Sequence, residues 1–181
     1  AFPADLDQIA IETDQGLCYS WRDLDRASAM MANLFVDLGV PAHARVAVQV
    51  EKSVEALMLY LATLRAGLVF LPLNTAYQSA EIEYFVGNAE PAVVVCSGKN
   101  FGWVSKIAFQ AGTQHVFTLN EDRTGTLLDR AAVQSDRHKT VSRKADDLAA
   151  ILYTSGTTGR SKGAMLSHGN LHSNAAMLKD Y

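Results

Sequence analysis

The run Ala92-Val93-Val94-Val95-Cys96 shows no alternation between apolar and polar positions. A strand with one wet face alternates, so this run belongs to a strand covered on both faces, the habit of parallel sheets. Arg45 to Val50, Val69 to Leu73, His115 to Leu119 and Leu148 to Tyr153 read as further strands. Helical spacings fall between them. Strands that alternate with helices imply β-α-β units and crossovers over both faces of a sheet. The expected fold is therefore α/β: a doubly wound, mostly parallel sheet with flanking helices, in one unit over residues 1–181. A chain of 181 residues that is 49% hydrophobic can bury the core this needs.

The local signals are specific. Ile9 to Thr13 and Leu17 to Ser20 flank Asp14-Gln15-Gly16 and predict a hairpin. Leu24, Ala27, Met31, Leu34 and Leu38 keep helical spacing until Gly39 and Pro41 end it. Ser53 is the expected N-cap of a helix that buries Val54, Leu57, Met58, Leu61 and Leu64 and stops at Gly67. Pro72 suits the end of its strand. Ser79 is the expected cap of a helix carrying Ile82, Phe85, Val86 and Ala89. Helices around Trp103 to Ala111, Thr126 to Val133 and Asn170 to Lys179 complete the set, and Met30, Met31 and Met58 read as packing residues. The polar, charge-mixed stretch 134–147 reads as a solvated connection.

The stretch that carries chemistry is Tyr153-Thr154-Ser155-Gly156-Thr157-Thr158-Gly159-Arg160-Ser161-Lys162-Gly163. Its glycines let backbone N–H groups come close to a ligand, its hydroxyls add short donors, and its lysine adds a mobile positive charge. Together they form a cradle for a polyphosphate. The spacing is neither that of the Walker loop nor that of the Rossmann fingerprint: the sixth position from Gly156 is Ser161, and Lys162 is followed by Gly163. With a strand before it and apolar Ala164-Met165-Leu166 after it, the run predicts strand, loop, strand: a hairpin-like flap. His168 reads as a loop or helix-start residue.

At these residues the chain resembles the adenylate-forming superfamily of acyl-CoA synthetases, luciferases and peptide-synthetase adenylation domains. Their signature is close to [YF]-T-S-G-[ST]-T-G-x-P-K-G, and only Ser161, where proline is commonest, departs from it. Met165-Leu166-Ser167-His168-Gly169-Asn170-Leu171 resembles the usual sequel. Tyr19-Ser20-Trp21-Arg22-Asp23-Leu24 resembles the opening of the family's first long helix, and Leu64 to Asn74 resembles its Leu-x-Ala-Gly-x-x-x-x-Pro-Leu-Asn segment. The wording is most similar to bacterial malonyl-CoA synthetases at Val46 to Ser53, Leu73 to Tyr77 and Gly159 to Gly163.

The resemblance implies an ATP-dependent carboxylate–CoA ligase that works through an acyl-adenylate, with malonate or methylmalonate as the acid. Alternatives are an adenylation domain that passes its acyl group to a carrier protein, and a nucleotide-binding module without catalysis. It implies ATP, Mg2+ and coenzyme A as ligands. Thr154, Ser155, Gly156, Thr157, Thr158, Gly159, Ser161 and Lys162 are the implied phosphate contacts, with Lys162 as the catalytic charge and Thr154 nearest the metal. Arg160 is either a phosphate contact or a solvated residue at the tip. It also implies that residues 1–181 are the N-terminal portion of the AMP-binding large domain. The magnesium-holding acid, the ribose-binding aspartate and the C-terminal domain with its catalytic lysine would follow Tyr181. Residues 1–181 alone are then expected to carry no ligase activity.

Composition narrows the partners. A formal charge of −3 implies no nucleic-acid surface, and no apolar run has the length of a membrane span. Nothing at the start reads as a signal peptide. Cys18 and Cys96 sit in strand-like runs outside any C-x-x-C motif and read as buried free thiols, which suits a reducing cytosol.

Overall fold

The structure, a computed structural model, describes residues 2–154 and 161–179. The chain opens with β1 (Ile9–Glu12) and β2 (Cys18–Ser20), an antiparallel hairpin. Gly16 turns it at φ +76°, a conformation that favours glycine. Helix α1 (Trp21–Asp37) begins at the Ser20 cap, where Ser20 and Asp23 exchange the reciprocal bonds of a capping box. It buries Leu24, Ala29, Met31, Leu34 and Phe35.

Six strands build the main sheet. β3 (Arg45–Gln49) leads through α2 (Val54–Arg65) to β4 (Val69–Pro72). α3 (Ser79–Ala89) then leads to β5 (Val93–Cys96), and α4 (Phe101–Gln110) to β6 (His115–Thr118). After α5 (Thr126–Ala131) come β7 (Leu148–Thr154), β8 (Lys162–Ser167) and α6 (His168–Lys179). The spatial order is β6-β5-β3-β4-β7-β8, parallel except for the antiparallel β7·β8 pair. The doubly wound, mostly parallel expectation holds.

Each strand divides its side chains between two layers. Val46, Val48, Val93 and Val95 pack with α1, α2 and α5 on one face, while Ala47, Leu71, Val94 and Cys96 pack with α3 and α4 on the other. All four residues of β5 are buried, as its unbroken apolar run requires. Burial pushes the Cys96 thiol up to about 12, so it is a packing group and not a nucleophile. Cys18 departs from expectation: it is exposed on the two-stranded hairpin, where no layer covers it.

The face buried by α2 also differs from the expected one. Its buried residues are Glu55, Met58, Leu59, Ala62 and Thr63, while Leu57 is exposed and Val54, Leu61 and Leu64 are half-buried. The helix is apolar nearly all round, so spacing alone did not fix its rotation. The two polar residues turned inward have partners. The Glu55 carboxylate accepts from the Tyr19 hydroxyl at 3.0 Å, and the Thr63 hydroxyl donates to the Leu59 carbonyl at 2.8 Å. Ser53 caps α2 as expected, its hydroxyl oxygen accepting from the Ala56 N–H at 3.0 Å. Gly67 ends it at φ +70°, with the Arg143 guanidinium where a Cβ would stand. Helix α3 starts one residue earlier than its expected cap: Gln78 is the N-cap, and its N–H donates to the Glu81 carboxylate at 3.0 Å.

Residues 134–147 are not simply solvated. The Asn33 amide nitrogen on α1 donates to the carbonyls of Ser135 and Arg137 at 2.8 and 2.9 Å. The Val141 N–H reaches the Arg65 carbonyl at 2.8 Å, and Arg143 donates to the Gly67 carbonyl at 2.7 Å. The connection is a strap across the ends of α1 and α2. A polar sequence hides this, because its bonds run through backbone carbonyls.

Pro72 shapes the seam between β4 and β7. The Val69 and Leu73 N–H groups point at β3, to Ala44 and Val48. Alternation therefore turns the nitrogen of Pro72 toward β7, where it has no hydrogen to give. The β4·β7 ladder is correspondingly short, with Phe70↔Ala150 as its register pair.

Candidate functional site

β7 and β8 form the predicted hairpin, and the loop between them lies beyond the carboxyl end of β7. The cofactor-binding candidates Ser155, Gly156, Thr157, Thr158, Gly159 and Arg160 lie outside the described residues. The structure brings together the candidates on either side. Thr154 and Lys162 are register partners in the antiparallel ladder. Directly opposed residues share a face with Cβ atoms about 5 Å apart. Both are exposed. A hydroxyl and an ammonium thus stand side by side at the mouth of the hairpin. Ser161 is half-buried at the hip where the chain enters β8.

The next pair in, Tyr153↔Gly163, faces the other way, toward α3. Gly163 is needed here because a Cβ would stand 2.9 Å from the Ile151 methyl and 3.5 Å from the Tyr153 ring. Tyr153 stacks on Phe85 with centroids 4.3 Å apart, and Tyr84 and Tyr77 extend the aromatic group. Two hydrogen bonds fasten the hairpin to α3. The Tyr153 hydroxyl donates to Asn88 Oδ1 at 2.5 Å, and the Tyr84 hydroxyl donates to the Ser161 carbonyl at 3.0 Å. Burial raises the Tyr153 phenol above its ordinary value, which keeps it a neutral donor. The sequence marked Ile82, Phe85, Val86 and Ala89 on this helix, and nothing in that spacing announced these two contacts.

Parallel strands end on one edge of a sheet, and ligands of open α/β sheets bind beyond the carboxyl ends. A cleft of about 770 Å³ lies on this edge, past the ends of β3 and β4. Its walls include Phe70, Pro72, Glu51, Lys52, Asn74 and Thr75. Phe70 and Ala56 place it on the α2 side of the sheet, the same side as Thr154 and Lys162. Buried Gln49 holds the segment after β4 in place, its Nε2 donating to the carbonyls of Asn74 and Tyr77 at 3.1 and 3.0 Å. Lys52 and Asn74 were missed as site residues. Their signal was their position, just past strand ends.

At its base the hairpin turns into α6. Ser167 and Asn170 cap that helix reciprocally, and His168 is its first residue, as expected. Burial and the nearby Arg143 hold the His168 imidazole below its ordinary range. Among the described residues no group of three or more His, Cys, Asp or Glu could hold a metal, and no helix is long and apolar enough to cross a membrane.

Comparison with known proteins agrees with this geometry. The profile of the family described as AMP-binding enzyme matches residues 4–181. The structure is similar to ligand-free MatB from Rhodopseudomonas palustris, with a TM-score of 0.94 and 51% identity over 99% of this chain and 35% of that one. The ATP-bound form of MatB gives the same TM-score of 0.94 at 52% identity. Tyrocidine synthase 1 of Brevibacillus parabrevis is 32% identical over 93% of this chain and 14% of its own length. The medium-chain fatty-acid–CoA ligase of Escherichia coli is 27% identical over 91% of this chain and 31% of its own. The chain thus spans about a third or less of the length of these relatives.

Proposed function

Because the chain belongs to the AMP-binding enzyme family, we propose that it is the N-terminal portion of the large domain of an ATP-dependent carboxylate–CoA ligase. Malonate or methylmalonate is the proposed acid, on the sequence resemblance to bacterial malonyl-CoA synthetases; the ATP-bound form of MatB shares this architecture. The observation that carries the reading is the pairing of Thr154 with Lys162 across the mouth of the phosphate hairpin. The proposed setting is the cytosol.

The reaction has two steps. A carboxylate oxygen bonds to the α-phosphorus of ATP, the bond from that phosphorus to the bridging oxygen breaks, and pyrophosphate leaves. The sulfur of coenzyme A then bonds to the acyl carbon, AMP leaves, and the thiol gives up its proton. In the first step negative charge grows on the departing pyrophosphate. Donors already aimed at that charge lower the barrier because they need no rearrangement when it forms. Lys162 supplies the positive charge, Thr154 a hydroxyl, and residues 155–161 the backbone and side-chain donors.

The described residues fit a magnesium ion held mainly by phosphates. They offer the Thr154 hydroxyl and no carboxylate cage, and magnesium commonly takes one or two protein groups and keeps the rest for phosphate and water. When bound, the ion would neutralise charge between the phosphates, with Thr154 as this chain's contact.

Replacing Lys162 with alanine in the complete ligase is expected to lower ATP–pyrophosphate exchange about 10²- to 10³-fold, the scale of losing one aimed charge or donor. Unchanged exchange would remove Lys162 from the mechanism. The similarity to tyrocidine synthase 1 favours a second reading, in which a carrier-protein thiol replaces coenzyme A. Acyl-CoA formation from free coenzyme A by the complete enzyme decides between them.

A further inference from the structure

The two hydrogen bonds from α3 bracket the loop. Tyr153 is the penultimate residue of β7, and Ser161 immediately precedes β8. Their partners Asn88 and Tyr84 are four residues apart on α3, so one stripe of one helix reaches both hips of the hairpin. The contact at Ser161 matters more. The Tyr153 ring is already held by Phe85, whereas Ser161 stands just outside the ladder, whose first pair on this side is Thr154↔Lys162. The Tyr84 hydroxyl is what fastens the Ser161 carbonyl.

We propose that Tyr84 is a positioning residue for phosphate binding: its hydroxyl, seconded by Asn88, pins the trailing hip of the hairpin to α3 and sets where Lys162 stands beside Thr154. The proposal rests on the phosphate reading of this loop. Its physical content is preorganisation. A charge held in place before the ligand arrives loses less freedom on binding than one that must be gathered in.

Tyr84→Phe keeps the ring in the aromatic group and deletes the hydroxyl, and with it the bond to the Ser161 carbonyl. In the complete ligase the variant is expected to melt within about 4 °C of wild type, as for one lost half-buried hydrogen bond. MgATP affinity by calorimetry is expected to fall about threefold to tenfold, and hydrogen exchange of amides 162–165 to quicken without ligand. Adding Ser161→Pro should recover most of both. Proline fixes φ at this hip, and outside the ladder it costs no strand hydrogen bond. Asn88→Ala should act in the same direction as Tyr84→Phe, while Asn88→Asp, which keeps an acceptor for Tyr153, should not.

Wild-type affinity in Tyr84→Phe would overturn the proposal, even if exchange quickens, since the bond would then be merely structural. Failure of Ser161→Pro to restore affinity would also overturn it, because the loss would not come from a loosened hip. If the wild-type complete ligase takes up no MgATP, the phosphate reading itself is at fault. The exchange arm then still reports whether Tyr84 holds the hip.

Discussion

The middle of the sheet and its β7–β8 edge are built under opposite rules. β5 buries all four of its residues between two helical layers. In β8, Lys162 to Met165 are exposed, Met165 at 73%, and α6 beyond it buries none of its described residues, leaving Met177 and Leu178 at 63% and 67%. The middle is held by burial in all directions. The edge is held by its own ladder, one short seam to β4, and the contacts that α3 makes with Tyr153 and Ser161. A polyphosphate cradle needs open space, and the edge is where the sheet leaves it.

One chemical change made in both places shows the difference at its largest. Val95→Asp would bury a carboxylate with no partner between the layers. It is expected to cost more than about 4 kcal/mol and to abolish cooperative unfolding in a denaturant titration. A well-folded Val95→Asp chain would mean that the middle is looser than its burial indicates.

A smaller effect belongs to the strap that joins the two regions. The His138 ring meets two oxygens, Asn33 Oδ1 at 2.7 Å and the Arg65 carbonyl at 3.3 Å. The Asn33 amide nitrogen is engaged elsewhere, so its oxygen must accept, and the ring carries its proton on Nδ1. Burial, helped by the Arg65 charge, lowers the His138 imidazole below its ordinary 6.5, outweighing the Arg65 carbonyl that favours the charged ring. The folded chain therefore binds fewer protons than the unfolded one in that window. Stability is full above about pH 6.5 and is lost as pH falls toward the lowered value. His138→Gln should flatten that part of a melting-temperature profile between pH 7 and 5. An unchanged slope would assign it to other groups, His168 among them.

The smallest effect is the twin of the first. Met165→Asp, on the open face of β8, is expected to change stability by no more than about 0.5 kcal/mol in the same titration. A large loss there would mean that β8 is covered in solution.

What could be read in advance follows the same division. β5 was legible because burial on both faces leaves one pattern, and α1 because its spacing and its stop at Gly39 and Pro41 agree. The rotation of α2 was not, since its apolar residues surround it and Glu55 turns inward on a bond to Tyr19, 36 residues away in sequence. The strap escaped notice because Asn33, Arg65 and Arg143 bind carbonyls that any sequence supplies. At the candidate site the glycines, hydroxyls and lysine pointed to phosphate. The support from Tyr84 and Asn88 did not, because contacts across 77 and 65 residues leave no local spacing to read.

Pro72 has a consequence for how this chain is made. β4 waits for its partner: Phe70 pairs with Ala150, 80 residues later. At about 5–20 residues per second, the ribosome takes about 4–16 s to deliver that strand. For those seconds one side of β4 is an open edge, and open edges recruit strange strands. On that side Pro72 offers no hydrogen. The residue that shortens the seam in the finished protein also guards the unfinished one.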